Sequence, residues 1–307
     1  MPTTFAPIVL FAFARPDHTR RTLEALAENE LAEQSDLIIY ADAARNENEV
    51  AQVQAVRALS HAVTGFRSVT VIERERNYGL ARNIIEGVTE VCNRYGRVIV
   101  LEDDIVTTPD FLRFMNAALD RYADDSCAWH VSGWNYPIDA EGLGDAFFWR
   151  VMNCWGWGTW ADRWAFFQKD PQRLMETWSR ARIKRFNLDG AHDFWSQIMA
   201  NQARKSDTWA IFWYATIFEN DGLCLNPAQS LVRNIGHDGS GENCEASDSF
   251  AGDSYGKEIS AFPDCDEELA LAVERIKAFY SGMRFSLTRR VIRGLRNLMF
   301  SVNASQR

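Results

Sequence analysis

The chain has little that would staple it covalently, carry it through a membrane or attach it to nucleic acid. Its six cysteines, at 92, 127, 154, 224, 244 and 265, form no CxxC pair and no zinc spacing. A chain of 307 residues does not need disulfide staples, so reduced thiols are expected. The apolar run from Ile8 to Ala14 is too short to span a bilayer. It has no basic lead or cleavage pattern and passes straight into Arg15, Pro16 and Asp17, so it reads as a first strand, and a cytoplasmic location is expected. Basic charge is in deficit. The formal net charge of -9 argues against nucleic acid as a partner. Tandem repeats and low-complexity tracts are lacking, and so is a glycine-rich phosphate loop after the first strand, where the sequence reads FARPDHTRR. What is plentiful is apolar material, 47% of the residues, enough for a substantial core.

The first hundred residues alternate strand-like and helix-like segments, the pattern of βαβ units around a parallel sheet. Ile8 to Phe13 reads as the first strand, followed by a helix capped by Asp17 with Leu23, Leu26 and Leu31 on its apolar side. Leu37 to Ala41 is a second strand ending in Asp42. Val50, Val53, Val56 and Leu59 then recur at helical spacing, and Val69 to Ile72 is a third strand. After the loop Glu73 to Gly79, Ile84, Ile85, Val88, Val91 and Cys92 share one helix face. Val98 to Leu101 has no polar alternation, which implies a strand buried on both faces. Beyond Pro109 aromatics take over. A helix from Asp110 to about Tyr122 and a short strand, Ala128 to Ser132, precede a tryptophan-rich stretch from Phe147 to Phe167. Residues 171–220 read as mainly helical, Leu223 to Leu225 as a short strand, Ser230 to Gly256 as loop, and the chain from Glu267 onward as two helices.

The buried strand stops in Glu102, Asp103 and Asp104, at the carboxyl end where open α/β sheets hold their ligands. Acids there can bind a hard divalent cation such as Mg²⁺ or Mn²⁺, or simply begin the next helix. Arg15 leaves the first strand and Asp42 the second. Asp42 is suited to a base or ribose hydrogen bond, or equally to a turn. Asn77, Gly79, Arg82 and Asn83 offer a close turn followed by polar side chains in a first helical turn, facing an anion or a base.

The order of APIVLFAFARPD, IIYADA, NYGLARN and VIVLEDDIVTTPDFL resembles the GT-A-type glycosyltransferases. The last segment is especially similar to N-acetylglucosaminyltransferase I and its bacterial relatives. The resemblance covers about the first 120 residues and continues more loosely through CWGWGTWADRW and SLVRNIGHDGSGENC, which are similar to segments of bacterial surface-polysaccharide sugar transferases. It implies an α/β fold with a Rossmann-like, mixed but mainly parallel sheet flanked by helices. The implied organisation is a glycosyltransferase domain over residues 1–260, with a nucleotide-binding half to 105 and an acceptor half over 106–260, and a C-terminal helical appendage over 261–307. It also implies a nucleotide-sugar donor, expected to be a UDP-sugar, and a saccharide or lipid-linked saccharide acceptor. Arg15, Asp42, Asn77, Arg82 and Asn83 would form the donor pocket, Asp104 would be the principal ligand of Mn²⁺ or Mg²⁺, and Glu102 and Asp103 would position the donor.

Two positions depart from the relatives. Where they often carry a His before the Cys of the glycine-rich motif, this chain has Asn243, so His237 becomes the further metal candidate. Where they often carry an Asp after a Trp, Trp209 is followed by Ala210, leaving Asp207 and Asp193 as candidates for the base, although each also suits a helix cap. Trp157, between Gly156 and Gly158, either meets an acceptor sugar or packs in the core with its neighbours. The tail from Met283 to Arg307 holds six arginines and no acid, interleaved with apolar residues. It fits a helix that touches a membrane surface peripherally or one docked on protein. Competing readings are a sugar nucleotidyltransferase, which the missing phosphate loop disfavours, and a non-catalytic glycan- or nucleotide-binding protein of the same fold.

Overall fold

The computed structural model describes residues 5–238 and 259–283. Strands β1 (Ile8–Ala12), β2 (Asp36–Ala41), β3 (Ser68–Glu73) and β4 (Arg97–Glu102) alternate with helices α1 (Pro16–Ala27), α2 (Val50–Ala62) and α3 (Leu80–Tyr95), as the sequence pattern implies. The strands pair in parallel in the order β3-β2-β1-β4. Val98, Ile99, Val100 and Leu101 are fully buried, which is why no polar residue interrupts them. Helix α1 begins earlier than expected. Pro16 occupies its first turn, where a fixed φ is favourable, and Asp17 lies inside that turn paired with Arg20 instead of capping it.

The second half adds β5 (Ile105–Thr107), α4 (Phe111–Arg121), β6 (Ala128–Ser132), β7 (Ala146–Trp149) and β8 (Trp157–Trp160). Four short helices and one longer one follow: α5 (Ala161–Trp164), α6 (Pro171–Thr177), α7 (Arg180–Phe186), α8 (Trp195–Gln202) and α9 (Ala210–Glu219). Then come β9 (Leu223–Pro227) and β10 (Val232–Asn234), and residues 270–283 form a further helix. Beyond β4 the main sheet continues as β8-β6-β9-β7, with β8 antiparallel to β4, so the eight strands make a mixed sheet flanked by helices. A separate ribbon pairs β5 with β10.

The tryptophan-rich stretch corrects a sequence expectation. Its Trp157 does not face a ligand: it lies in β8, between β4 and β6, with no exposed surface. Its ring stacks on His130 and Trp209 at 5.4 and 5.1 Å. Two flanking glycines mark a crowded strand here, since a Cβ on Gly158 would stand 2.9 Å from the Val98 carbonyl oxygen.

The expectation of reduced thiols also fails for one pair. Cys127 and Cys265 are joined by a disulfide across 138 residues of sequence, because residues 259–283 fold back onto the sheet. There Ala272, Ile276 and Tyr280 enter the same core as β1 and β4, and Glu268 accepts a hydrogen bond from Arg150 Nε at 2.7 Å. No helix among the described residues is long and apolar enough to cross a membrane. The glycine-rich loop and the arginine-rich tail lie, for the most part, outside the described residues.

Candidate functional site

The sheet order places the carboxyl ends of β1 and β4 side by side, with the chain leaving β1 toward β2 and β3 on one side and reaching β4 on the other. This is a topological switch point, where a crevice opens beyond the strand ends. A cavity of about 760 Å³ occupies it. It is lined by Arg15, Asp42, Asn77, Asn83 and the three acids, together with the loop over residues 151–155, Asp207, Trp209 and His237.

Arg15 binds the acids together. Ala14, with φ of 48°, turns the chain sharply after β1, and the Arg15 guanidinium then donates to Asp103 and, at 2.9 Å, to Asp104 Oδ2. Asp103 also accepts from the Phe13 backbone N–H at 3.0 Å. Burial lowers the pKa of Arg15, but Asp103 and Asp104 outweigh it and hold it above the ordinary range. Burial raises the Glu102 carboxyl well above the usual carboxylate range, and the neighbouring Asp104 and Asp103 add to the effect. Burial likewise raises Asp103 against the opposing pull of Arg15. One guanidinium faces three carboxyl groups.

The ribbon of β5 and β10, not foreseen in the sequence, brings the segment over residues 235–237 to Asp104. Ile235 N donates to the Asp104 carbonyl at 2.9 Å. Gly236 then lies so close that a Cβ would stand 2.2 Å from Asp104 Oδ2, so only glycine fits. His237 follows, with its ring 5.3 Å from that of Trp155, while Asp238 approaches His18 at 3.2 Å.

The donor set fits a divalent cation. Hard carboxylate oxygens in surplus over their one counter-cation, with an imidazole on the same cavity, are ligands that Mn²⁺ or Mg²⁺ accepts. The protein does not supply a closed shell, however. Among the described residues, the three-residue group close enough to share an ion is Asp125, Cys127 and Cys265, whose two sulfurs are already joined. At the cavity an ion would therefore complete its coordination with water and ligand oxygens.

Asp42 serves the loop ahead of α3. Its carboxylate accepts from the N–H groups of Ala43, Tyr78 and Gly79 at 2.9 to 3.0 Å and from Asn77 Nδ2 at 3.2 Å. Asn83 is buried on the cavity wall and accepts from Arg74 Nε at 2.9 Å. Arg82 does not join them. It points to the surface, paired with Glu86 at 2.6 Å and lying 4.1 Å from the Tyr78 ring, because the first turn of α3 turns it away from the cavity. Sequence reasoning missed Arg45, which lines the cavity 5.0 Å from the Phe13 ring and is fixed by Glu49 at 2.8 Å. Its signal was the ARNENE run just after Asp42.

The two candidate bases separate. Asp193 accepts from the Ser196 N–H and from Asn187 Nδ2, both at 3.2 Å, in the manner of a cap ahead of α8, and it does not line the cavity. Asp207 does line it, on a loop that Asn201 holds through Thr208 N at 3.0 Å and Thr208 Oγ1 at 2.9 Å. The Asp207 side chain is 76% exposed and paired with Lys169, so an incoming hydroxyl can reach it.

The GNT-I family model matches residues 2–185, more than half of the chain. No curated protein sequence matches it. Among solved structures, a mannosyltransferase from Pyrobaculum calidifontis, in complex with GDP-Man and Mn²⁺, shares 12% identity over 71% of each chain at a TM-score of 0.38. Mouse xyloside xylosyltransferase 1, in its apo form, shares 11% identity over 69% of this chain and 80% of its own at a TM-score of 0.34. At such scores the fold assignment rests on the sheet topology itself.

Proposed function

Since the chain belongs to the GNT-I family and is a glycosyltransferase, we propose that it is metal-dependent and moves a sugar from a UDP-sugar to a saccharide hydroxyl with inversion, in the assembly of a bacterial surface polysaccharide or glycan. The observation that carries this reading is the cavity at the switch point, which Arg15, Asp104, Asp207 and His237 line together. Residues up to 105 serve the nucleotide and residues 106–260 the acceptor.

In this reading Asp104, with His237, would hold Mn²⁺ or Mg²⁺, which would supply positive charge to the leaving diphosphate. Arg15 holds the Asp103 and Asp104 carboxylates in place. Asp42 fixes the loop over residues 77–79, so that Asn77 and Asn83 border the nucleotide. Glu102 and Asp103 position the donor. Asp207 accepts the proton of the acceptor hydroxyl as its oxygen bonds to the anomeric carbon, while the bond from that carbon to the diphosphate oxygen breaks and the diphosphate leaves with the electron pair. The enzyme works in the cytoplasm.

The test is product analysis by mass spectrometry with a panel of nucleotide sugars and saccharide acceptors in Mn²⁺. Transfer or slow donor hydrolysis is expected in the wild type and neither in Asp104→Ala. Turnover that Asp104→Ala or chelation leaves unchanged contradicts the reading.

A further inference from the structure

Asp42, which the family resemblance places in the donor pocket, has no acceptor site left for a ligand. An ionised carboxylate offers about four lone-pair sites. Here they receive the backbone N–H groups of Ala43, Tyr78 and Gly79 and the side-chain amide of Asn77, and the residue is 4% exposed. An N–H that a nucleobase brings to this end of the cavity must find another acceptor. Asn77 supplies one. Its Nδ2 donates to Asp42 Oδ2 at 3.2 Å and to the Ala43 carbonyl at 2.8 Å, and since both partners only accept, the amide has one orientation. Asn77 Oδ1 is then the outward end. It accepts from no described residue and is open to solvent, on a half-buried side chain that lines the cavity.

A donor leaves the same turn. Arg45 follows Asp42 and Ala43 in the chain and lines the cavity with its side chain 46% exposed. Glu49 holds its Nε at 2.8 Å, and the guanidinium lies 5.0 Å from the Phe13 ring, so the exposed group is tethered. A guanidinium gives hydrogen bonds and takes none. The acids stand two strands away, because β4, β1 and β2 are neighbours in that order. At the usual strand spacing the ends of β4 and β2 are about 10 Å apart, on the order of the reach from the terminal phosphate of an extended nucleotide to its base.

We propose that Asn77 Oδ1 and the Arg45 guanidinium read the nucleobase of the donor, selecting a base with a keto–imide edge, uracil or guanine, over one with an amino edge, cytosine or adenine. Uracil O4 or guanine O6 accepts from Arg45 while the adjacent imide N–H donates to Asn77 Oδ1. Cytosine and adenine carry an amino group and a bare ring nitrogen at those places. They set donor against donor and lone pair against lone pair. This deepens the glycosyltransferase reading and rests on it.

The test is calorimetric titration of nucleoside diphosphates in Mn²⁺, compared in pairs of equal ring size. UDP should bind about tenfold tighter than CDP, or GDP than ADP, according to the ring the cavity admits. In Arg45→Met, whose exposed position leaves the fold intact, the keto member of that pair should lose about tenfold and the amino member nothing. Asn77 is tested from the ligand side, because its Nδ2 also holds the loop. Methylation of the imide nitrogen, as in N3-methyl-UDP or N1-methyl-GDP, should cost about tenfold in the wild type. The proposal is overturned if the amino members bind as tightly as the keto ones, or if the methylated ligand binds undiminished. It is equally overturned if Arg45→Met leaves the keto preference intact or weakens all the diphosphates alike, as loss of positive potential would. Those results leave the glycosyltransferase reading standing. A wild type that binds no nucleoside diphosphate in Mn²⁺ sinks that reading as well.

Discussion

Arg15→Met removes the one guanidinium, among the described residues, that pairs with Asp103 and Asp104, while keeping the aliphatic stem. The two acids have side chains only 5% and 8% exposed, so water cannot replace the lost partner. Breaking a buried ion pair from one side typically costs about 3–5 kcal/mol. With an unfolding entropy of about 2 cal/mol/K per residue, the low end of that range lowers the melting temperature of a chain this long by roughly 5 °C. The sign of the pH dependence follows from Asp103. Its folded pKa, already raised by burial, rises further without Arg15, so the unfolded state binds fewer protons than the folded state between the two values. The variant's deficit is therefore small near pH 4 and grows toward pH 8. Mn²⁺ should recover part of it by supplying the missing positive charge. Scanning calorimetry of both proteins across pH 4–8, with and without Mn²⁺, measures all three effects. A deficit below about 1 kcal/mol at pH 7, or one that does not change with pH, refutes the assignment of Arg15 as the counter-charge of the site.

Other consequences are simpler to read. His130 is fully buried and neutral, donating from Nε2 to the Asn153 carbonyl and accepting at Nδ1 from Trp213 at 3.2 Å; burial lowers its pKa to about 3. The unfolded chain takes up that proton first as pH falls, so stability should drop between about pH 6.5 and pH 3 by up to about 1.4 kcal/mol per pH unit, and His130→Gln should flatten this slope in denaturant titrations. Trp157→Ala should cost about 3–5 kcal/mol in urea unfolding, as a large core deletion does, instead of acting as an acceptor-site variant with normal stability. Asp207→Asn should lower kcat at least about 100-fold with donor affinity kept, whereas Asp193→Ala should cost about 1 kcal/mol of stability as a lost helix cap and leave kcat unchanged; kinetics of the two variants side by side distinguishes base from cap.

What the sequence revealed was governed by local period and composition. The unbroken Val98–Leu101 run could only be a strand covered on both faces, and the three βα units before it fixed where its acids would end up. Arg15, Asp42, Asn77, Asn83, Asp104, Asp207 and His237 all line one cavity although they come from six separate segments of chain. What was hidden depended on partners distant in sequence. Trp157 follows aromatic spacing equally compatible with helix or ligand wall, and only its pairing between Val100 and Ser132 decides that it is core. Three-residue strands such as β5 and β10 carry too few residues for a period, yet the ribbon they form leads into Gly236, which packs on Asp104. Arg82 and Asn83 are adjacent in sequence, so a helix must point them some 100° apart, and only one can face the cavity. Cys127 and Cys265 gave no signal because no motif links cysteines 138 residues apart.

The central claim is that Asp104 holds a divalent cation that receives the diphosphate of a nucleotide sugar. Thermal shift of the wild type and Asp104→Asn, with nucleotide sugars in Mn²⁺ and in chelator, tests it most directly. At ligand 100 times above its Kd, binding to the folded state adds about 2.7 kcal/mol, or roughly 4 °C for a chain of this length. The account predicts that shift for the wild type with Mn²⁺ and nucleotide sugar together, and little of it in chelator or in Asp104→Asn. An equal shift in chelator, or an undiminished one in Asp104→Asn, contradicts it.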